Sequence, residues 1–309
     1  MNEAIFDDPK FHDEDKARKH LESIRWPNRL IICPHCGASG RISRIESQNK
    51  GNGKGARPGL LFCGDCREQF TVTVGTVFEH SKVPLHKWVL ATHLLCSSKK
   101  GISGHQLSRT LGVTYKTAWF MAHRIRLAMK PDSNGLLGNN GPVEADETFV
   151  GRKPGMKKRR GYAHKNAVFA LVERNGGVRS FHVPNVTADT LKPILKEHVI
   201  DEAHLMTDDA GQYRHMGQEF AKHEVIAHSN SEYVRGNVHT NTVEGFFSIF
   251  KRGIYGVYQH VSVAHLHRYT AEFDFRYNYR AKLGYDDSER TTAALKGIAG
   301  KRLTYRRTH

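Results

Sequence analysis

Nowhere in the 309-residue chain does an apolar run approach the roughly 20 residues that span a bilayer, which excludes a membrane-spanning helix. Its first twenty residues, MNEAIFDDPKFHDEDKARKH, are charged throughout and contain no apolar stretch of the signal-peptide kind. The cytoplasm is therefore the expected compartment. Acidic residues are scarce beside basic ones, with 31 Asp and Glu against 47 Lys and Arg, a formal net charge of +16. An excess of that size calls for a polyanionic partner, and nucleic acid is the commonest. With 39% hydrophobic and 25% charged residues, the composition is globular rather than disordered. The length predicts two or three domains.

Five cysteines are too few for a disulfide framework in a chain of this length and compartment. Four of them form two pairs, Cys33-Pro-His-Cys36 and Cys63-Gly-Asp-Cys66. Each CxxC pair lets two thiolates grip one ion from a tight turn, and two pairs complete a tetrahedral zinc site. A redox role would not need the motif twice. Residues 31–80 are accordingly expected to be a zinc ribbon with structural Zn2+ on Cys33, Cys36, Cys63 and Cys66. The 26 residues between the pairs include QNKGNGKGARPG, which reads as a hairpin tip, and the ribbon is expected to close on the strand-like FTVTVGTVF. His35 lies inside the first knuckle, where four thiolates already satisfy zinc. Cys96 sits in an apolar stretch and is expected to be buried.

Residues 1–30 predict a short helical lead-in with Phe11, Leu21, Ile24 and Trp26 on its apolar side. Over 81–130 three helical stretches follow, and the last two, SGHQLSRTLGV and YKTAWFMAHRIRLAMK, share a short glycine-containing turn. That is a helix-turn-helix pattern, with Ser103 and Thr114 as N-caps. Its second helix offers Thr114, Tyr115 and Lys116 at its start, with Arg124 and Arg126 further along, as the candidate DNA contacts. An ordinary helical hairpin is the duller alternative.

PDSNGLLGNNG at 131–141 reads as a linker, because Pro, Gly and Asn dominate and periodicity is lost. Beyond it, 142–285 predicts strands at GPVEADETFVG and, as a hairpin around Asn175-Gly176-Gly177, at KNAVFALVERNGGVRSFHVPN. A helix TADTLKPILKEHVI, a strand AHLMTDDA, a helix GQYRHMGQEFAKH, a strand EVIAHS and a helix NTVEGFFSIFKRGIYG follow. This β-β-β-α-β-α-β-α order is that of an RNase H-like fold, a mixed sheet flanked by helices. Two segments are basic rather than structured: the run Arg152, Lys153, Lys157, Lys158, Arg159, Arg160, and the tail 286–309 with Lys301, Arg302, Arg306 and Arg307. A charge run is commonly a solvated face. Beside a net charge of +16, contact with backbone phosphates becomes the expectation.

Phosphodiester chemistry with two divalent ions needs carboxylates that converge from separate elements. Asp146 lies in the strand VEADETFV, Asp208 ends the strand HLMTDD, and Glu244 stands on the helix NTVEGFFSIFKRG. These are oxygen ligands of the kind that Mg2+ and Mn2+ prefer. Thirty-five residues separate Asp208 from Glu244, a spacing associated with DDE recombinases. Lys251 stands two turns beyond Glu244 on the same helix face, and Asn241 about one turn before it. Glu144 shares a strand face with Asp146, so it is either a ligand or a neighbour. Glu147 and Asp209 are expected to be solvated or to lie behind the ligands. His239 is the histidine expected near the chemistry.

The stretches CPHCG…CGDC, VEADETFVGRK, LMTDDAGQY, HTNTVEGFFSIFKRGIYGVYQHV and EFDFRYNYR together resemble the transposases of bacterial insertion sequences. The resemblance is to the family that places a zinc ribbon before a DDE catalytic domain, and it extends over most of the chain. It implies Asp146, Asp208 and Glu244 as the catalytic acids, holding two Mg2+ or Mn2+ ions, with Lys251 as the accessory lysine. Members carry Asn or Glu at the third position, so Asn241 stays open as a contributor. Phe247 stands where the family often has tryptophan. The partners implied are the double-stranded ends of the element and target DNA, held by at least a homodimer. Arg252, beside Lys251, joins the cations expected on DNA. Two other readings remain: a DNA-binding regulator with a retired nuclease fold, and a structure-specific nuclease that cuts without joining.

Overall fold

A computed structural model describes residues 7–45, 56–131, 135–213, 219–226 and 237–304. The chain divides into two compact units, Met1–Ser97 with Gly104–Met129 and Asp287–His309, and Ser98–Ser103 with Lys130–Asp286.

The first unit opens on α1 (Glu14–Arg25), capped by the Asp13 carboxylate, which accepts from the Lys16 amide at 2.7 Å. Phe11, Leu21 and Trp26 are buried, as the lead-in pattern predicts. The ribbon is a three-stranded antiparallel sheet of β1 (Ile42–Arg44), β2 (Leu61–Cys63) and β3 (Gln69–Phe70). The hairpin tip expected at 48–59 falls largely outside the described residues.

The strand expected over FTVTVGTVF ends at Phe70, and a chain of turns replaces it. Thr76 Oγ1 donates to the Thr73 carbonyl at 2.6 Å and accepts from the Phe78 amide at 3.1 Å, while Gly75 takes φ +70°. Threonine hydroxyls offer the backbone local partners that compete with a ladder. Val72, Val77 and Phe78 are nonetheless buried, so the apolar content still serves the core.

Helices α2 (Leu85–Ser97), α3 (Gly104–Leu111) and α4 (Tyr115–Met129) follow. α3 and α4 pack together around a turn in which Ser108 Oγ donates to the Val113 carbonyl at 2.6 Å. Thr114 Oγ1 caps α4 by accepting from the Thr117 amide at 3.3 Å. Segment 286–309, expected as a basic tail, instead contains helix α8 (Asp287–Lys296), packed on α1, α2 and α4. Its Ala294 and Leu295, with Ile298 beyond, are buried, and His93 Nδ1 bonds Thr291 Oγ1 at 3.0 Å. The charges of Lys301 and Arg302 hid this apolar face in the sequence. Arg306 and Arg307 lie outside the described residues.

The second unit is a five-stranded sheet of β4 (Val143–Val150), β5 (Asn166–Glu173), β6 (Val178–Val183), β7 (His204–Asp208) and β8 (Lys222–Ile226), in the order β6-β5-β4-β7-β8. β4, β5 and β6 pair antiparallel, while β7 pairs parallel with β4 and β8 parallel with β7. That mixed order, with helices on both faces, is the RNase H-like fold. β5 is buried at every position, as a central strand covered on both faces must be. On one face Val143, Ala145, Phe169 and Leu171 pack with Leu191 and Leu195 of α5 (Ala188–His198). On the other, Val150, Val168, Ala170 and Val172 pack with α6 (Asn241–Gly253) and α7 (Val263–Asn278).

The helix expected over 211–223 differs. A 3-10 turn occupies Gly211–Tyr213, residues 214–218 lie outside the described set, and β8 already begins at Lys222. The linker 131–141 is anchored in part: Leu137 is buried, and the Gly138 and Asn140 amides donate to Glu173 at 2.9 and 2.8 Å.

Candidate active site

Asp146 stands in the middle of β4 and Asp208 ends β7, and the two strands are direct neighbours. Their parallel register pairs Glu144 with Met206, and continuing it by two residues puts Asp146 level with Asp208 on the face that α6 covers. α6 follows from its own sequence: Val243, Phe246, Phe247 and Phe250 are buried against the sheet. Asn241, Glu244, Lys251 and Arg252 are exposed on the rest of its surface. Phe247, the aromatic that departs from the family's tryptophan, packs in that core.

The electrostatics tie the three acids together. Withdrawal from water, then the charges of Glu147, Asp208 and Glu244, push the Asp146 carboxyl up to about 8. Carboxylates gathered under mutual repulsion form a site that a hard cation would relieve, and their oxygen-only chemistry fits Mg2+ or Mn2+. Glu244 is oriented locally: Thr240 Oγ1 donates to its Oε1 at 3.1 Å. Asp208 Oδ1 accepts from the Ala210 amide at 3.1 Å, fixing the turn after β7. Asp209, expected to be solvated, is exposed.

The two glutamates beside Asp146 each take one of the two readings left open for them. Glu144 is fully buried and its oxygens are taken by other partners. Thr242 donates from its amide at 2.8 Å and its hydroxyl at 2.7 Å, the Val243 amide at 3.0 Å, and Arg174 Nε at 2.6 Å. A carboxylate so occupied is a cap on the first turn of α6 rather than a ligand facing an ion. Glu147 lies behind the candidate ligands rather than in solvent. It accepts from Gln212 Nε2 at 2.7 Å and from the hydroxyl of buried Tyr213. Burial pushes its carboxyl up. His239 does lie beside the helix start: its Nδ1 accepts from the Asn241 amide at 3.3 Å and meets Arg174 Nη2 at 2.9 Å, which puts the ring proton on Nε2. Arg174 and Tyr213 escaped the sequence reading. Tyr213 sits within the matched stretch LMTDDAGQY, whereas nothing local marks Arg174.

The ribbon cysteines meet the geometry of zinc. Their ligand atoms lie within 4.8 Å of one another, and among the described residues no other group of three or more Cys, His, Asp or Glu gathers so tightly. Cys33 and Cys66 sulfurs are 3.7 Å apart, as are those of Cys36 and Cys63. Tetrahedral Zn–S bonds of about 2.3 Å require S–S edges of about 3.8 Å. Each knuckle closes on a left-handed residue, Gly37 at φ +78° and Arg67 at φ +62°. Their amides return to the Cys33 and Cys63 carbonyls, each at 2.9 Å. Cys96 is buried, as its surroundings predict.

The cations expected on DNA divide. Tyr115 and Lys116 are exposed at the start of α4, with the Tyr115 ring stacked on His105. Arg152, Lys157, Lys158, Arg159 and Arg160 are exposed after β4, and Lys153 is half-buried with its Nζ 3.4 Å from the Pro184 carbonyl. Arg252 is exposed beside Ser248. Arg124 and Arg126 are corrections: both are buried, and the Arg124 guanidinium donates to the Leu303 and Glu79 carbonyls at 3.2 and 3.1 Å. Those bonds make Arg124 a strut of the first unit. Among the described residues, no helix is long and apolar enough to cross a membrane.

A zinc ribbon in one unit and an RNase H-like sheet bearing the acids in the other define a transposase, and comparison with known proteins agrees. The model of the ISXO2-like transposase domain matches residues 138–278, and that of the transposase zinc-ribbon domain matches 12–69. A Halobacterium salinarum protein, described as an uncharacterized protein in transposable element ISH50, is 32% identical over 287 residues. That match covers 86% of this chain and 91% of the relative. The chain belongs to the ISXO2-like transposase family. Two solved structures are similar at a distance. The Mos1 transposase paired-end complex with left transposon end has a TM-score of 0.27 at 14% identity, covering 71% of this chain and 77% of its own. A pre-cleavage Mos1 transpososome has a TM-score of 0.26 at 15% identity, covering 70% and 77%. Likeness at that level carries no argument.

Proposed function

We propose that the chain binds the terminal inverted repeats of its element, hydrolyses a strand at each end, and joins the freed 3′-hydroxyls to target DNA. The observation that carries this reading is that Asp146 lies level with Asp208 on the neighbouring strand and feels the charges of both Asp208 and Glu244, the last from the helix over that face. These three would hold two Mg2+ or Mn2+ ions, which when bound supply positive charge to the attacking and leaving oxygens. Lys251 contacts a phosphate of the bound end. Asn241 lies beside the third acid as a further polar contact. The run from Arg152 to Arg160, with Arg252, takes the DNA backbone, while Tyr115 and Lys116 on α4 read or position the repeat.

In the first step a water oxygen bonds to phosphorus as the bond to the 3′-oxygen breaks, leaving a 3′-hydroxyl and a 5′-phosphate. In the second, that 3′-oxygen bonds to a target phosphorus as the target's own 3′-oxygen leaves and takes up a proton. One ester bond forms for each that breaks in the joining step, so the exchange needs no energy-rich nucleotide. Both ends enter one reaction, which calls for at least two copies of the chain on DNA.

Labelled element-end duplexes incubated with protein and Mn2+ test the reading. Joined products support it. Cut products without joining would favour the nuclease, and binding alone would favour the regulator.

A further inference from the structure

The glutamates on either side of Asp146 each tie β4 to one of the two elements that carry the other acids. Glu144 holds α6. Its carboxylate accepts from the Thr242 and Val243 amides at 2.8 and 3.0 Å and from the Thr242 hydroxyl at 2.7 Å, on the turn that presents Glu244. Arg174, at the end of the β5 strand, neutralises the buried carboxylate at 2.6 Å. The same guanidinium reaches the segment entering α6, donating to the Asn237 carbonyl at 2.5 Å and the His239 carbonyl at 2.8 Å. Glu147 points to the opposite face of the strand and holds the turn after β7 through Gln212 and Tyr213. Tyr213 is 1% exposed, so the phenol is a fixed post.

We infer that Glu144 and Glu147 are positioning residues that set the register of Glu244 and Asp208 against Asp146, and so set the affinity of the acid site for divalent cations. The inference rests on the function proposed above. Physically, carboxylates repel, so an acid triad does not hold itself together; bonds on neighbouring atoms must do so. Groups that orient metal ligands typically matter by about 10- to 100-fold in metal affinity or activity. Glu144 takes four such holding bonds, from Thr242, Val243 and Arg174, and Glu147 takes two, from Gln212 and Tyr213.

The test uses the full chain with its zinc in place. Tyr213→Phe removes one hydroxyl from a ring that stays packed, and Thr242→Val removes one bond to Glu144 without leaving a charge unpaired. Glu144→Gln removes the ion pair itself, and Glu147→Ala removes the second post, with Glu147→Gln as the conservative variant that still accepts from Tyr213. Direct Mn2+ binding by calorimetry and binding of element-end DNA are measured together with melting. Mn2+ affinity should weaken by about tenfold in Tyr213→Phe and Thr242→Val, and by more in Glu144→Gln and Glu147→Ala, with DNA binding of the first two unchanged and both still folded at the assay temperature. Glu147→Gln should recover most of the loss. Wild-type Mn2+ affinity in folded Tyr213→Phe and Thr242→Val proteins would overturn the inference. Wild-type protein that binds no Mn2+ at the acids would instead overturn the proposed function, so the two failures are distinct.

Discussion

Asp146 carries a clear chemical imprint of its surroundings, with its carboxyl lifted from 3.8 to about 8 by burial and by three neighbouring acids. Such a group is more readily protonated in the folded chain than in the unfolded one. Its contribution to stability is complete below about pH 4 and is lost as pH rises through about 8. Without added divalent cation, the melting temperature should therefore fall between about pH 4 and 8, and added Mn2+ should restore most at the upper end. Asp146→Asn should flatten the fall without removing it, because Asp274 is also pushed up to about 8 by burial. An unchanged pH slope in that variant, measured by calorimetric melts, would count against the assignment. On DNA, Asp146→Asn, Asp208→Asn and Glu244→Gln should each abolish cutting and joining while binding to element ends persists. Asp209→Asn should be mild and Lys251→Ala intermediate, as read on a gel of end-labelled duplex. A Glu244→Gln protein that cuts at full rate would shift the third role to Asn241. That Asp146, Asp208 and Glu244 would come near one another was legible by type and spacing, because the chemistry proposed for them restricts which side chains serve. The task of Glu144 was not, since its partner Thr242 lies 98 residues away in sequence. Arg124 misled for a related reason: a charge in sequence does not declare whether water or a carbonyl will meet it.

Among elements, the ribbon is the one whose folding depends on an ion. Cys33→Ser or Cys63→Ser removes a thiolate from a site whose binding energy is folding energy. Zinc content should drop and the ribbon should open locally, while the sheet of the second unit keeps its circular dichroism. Protein that contains no zinc, or variants that melt and bind DNA as wild type does, would refute the site. α8 supplies a second check. Leu295 is buried, so Leu295→Ala should cost about 2–5 kcal/mol. The chain's three tryptophans, Trp26, Trp88 and Trp119, all fall in the first unit, so their fluorescence in a denaturant titration reports that unit alone. The β-hairpin around Asn175 was readable because Asn175 takes a left-handed φ of +60° between two apolar runs. FTVTVGTVF failed because alternation scores side chains only, and threonine hydroxyls there bond the backbone at short range. α8 was overlooked because the charges around it outweighed the few apolar positions on its inner face.

For the whole molecule, the +16 charge sets the long-range field, and the exposed run after β4 contains the chain's longest unbroken series of Lys and Arg, residues 157–160. Replacing Lys157, Lys158, Arg159 and Arg160 by Gln should weaken binding to any duplex alike. It should also flatten the salt dependence, by roughly 0.9 in logarithmic slope for each phosphate that the variant no longer neutralises. Binding isotherms at several salt concentrations decide this, and an unaltered slope would reduce the run to a solvated loop. The class of fold was legible from the order of strands and helices. That the chain's first and last segments build one unit was not, because no local pattern links α8 to α2.

That discontinuous unit has a consequence during synthesis. α1, α2 and α4 leave the ribosome early, whereas α8 follows after roughly 160 more residues, about 10–30 s later at ~5–20 residues per second. Until then the surfaces that α8 covers have no partner, while the sheet of the second unit is complete and free to fold first. A messenger cut short before Asp287 therefore yields a chain whose acids are assembled but whose first unit is unfinished.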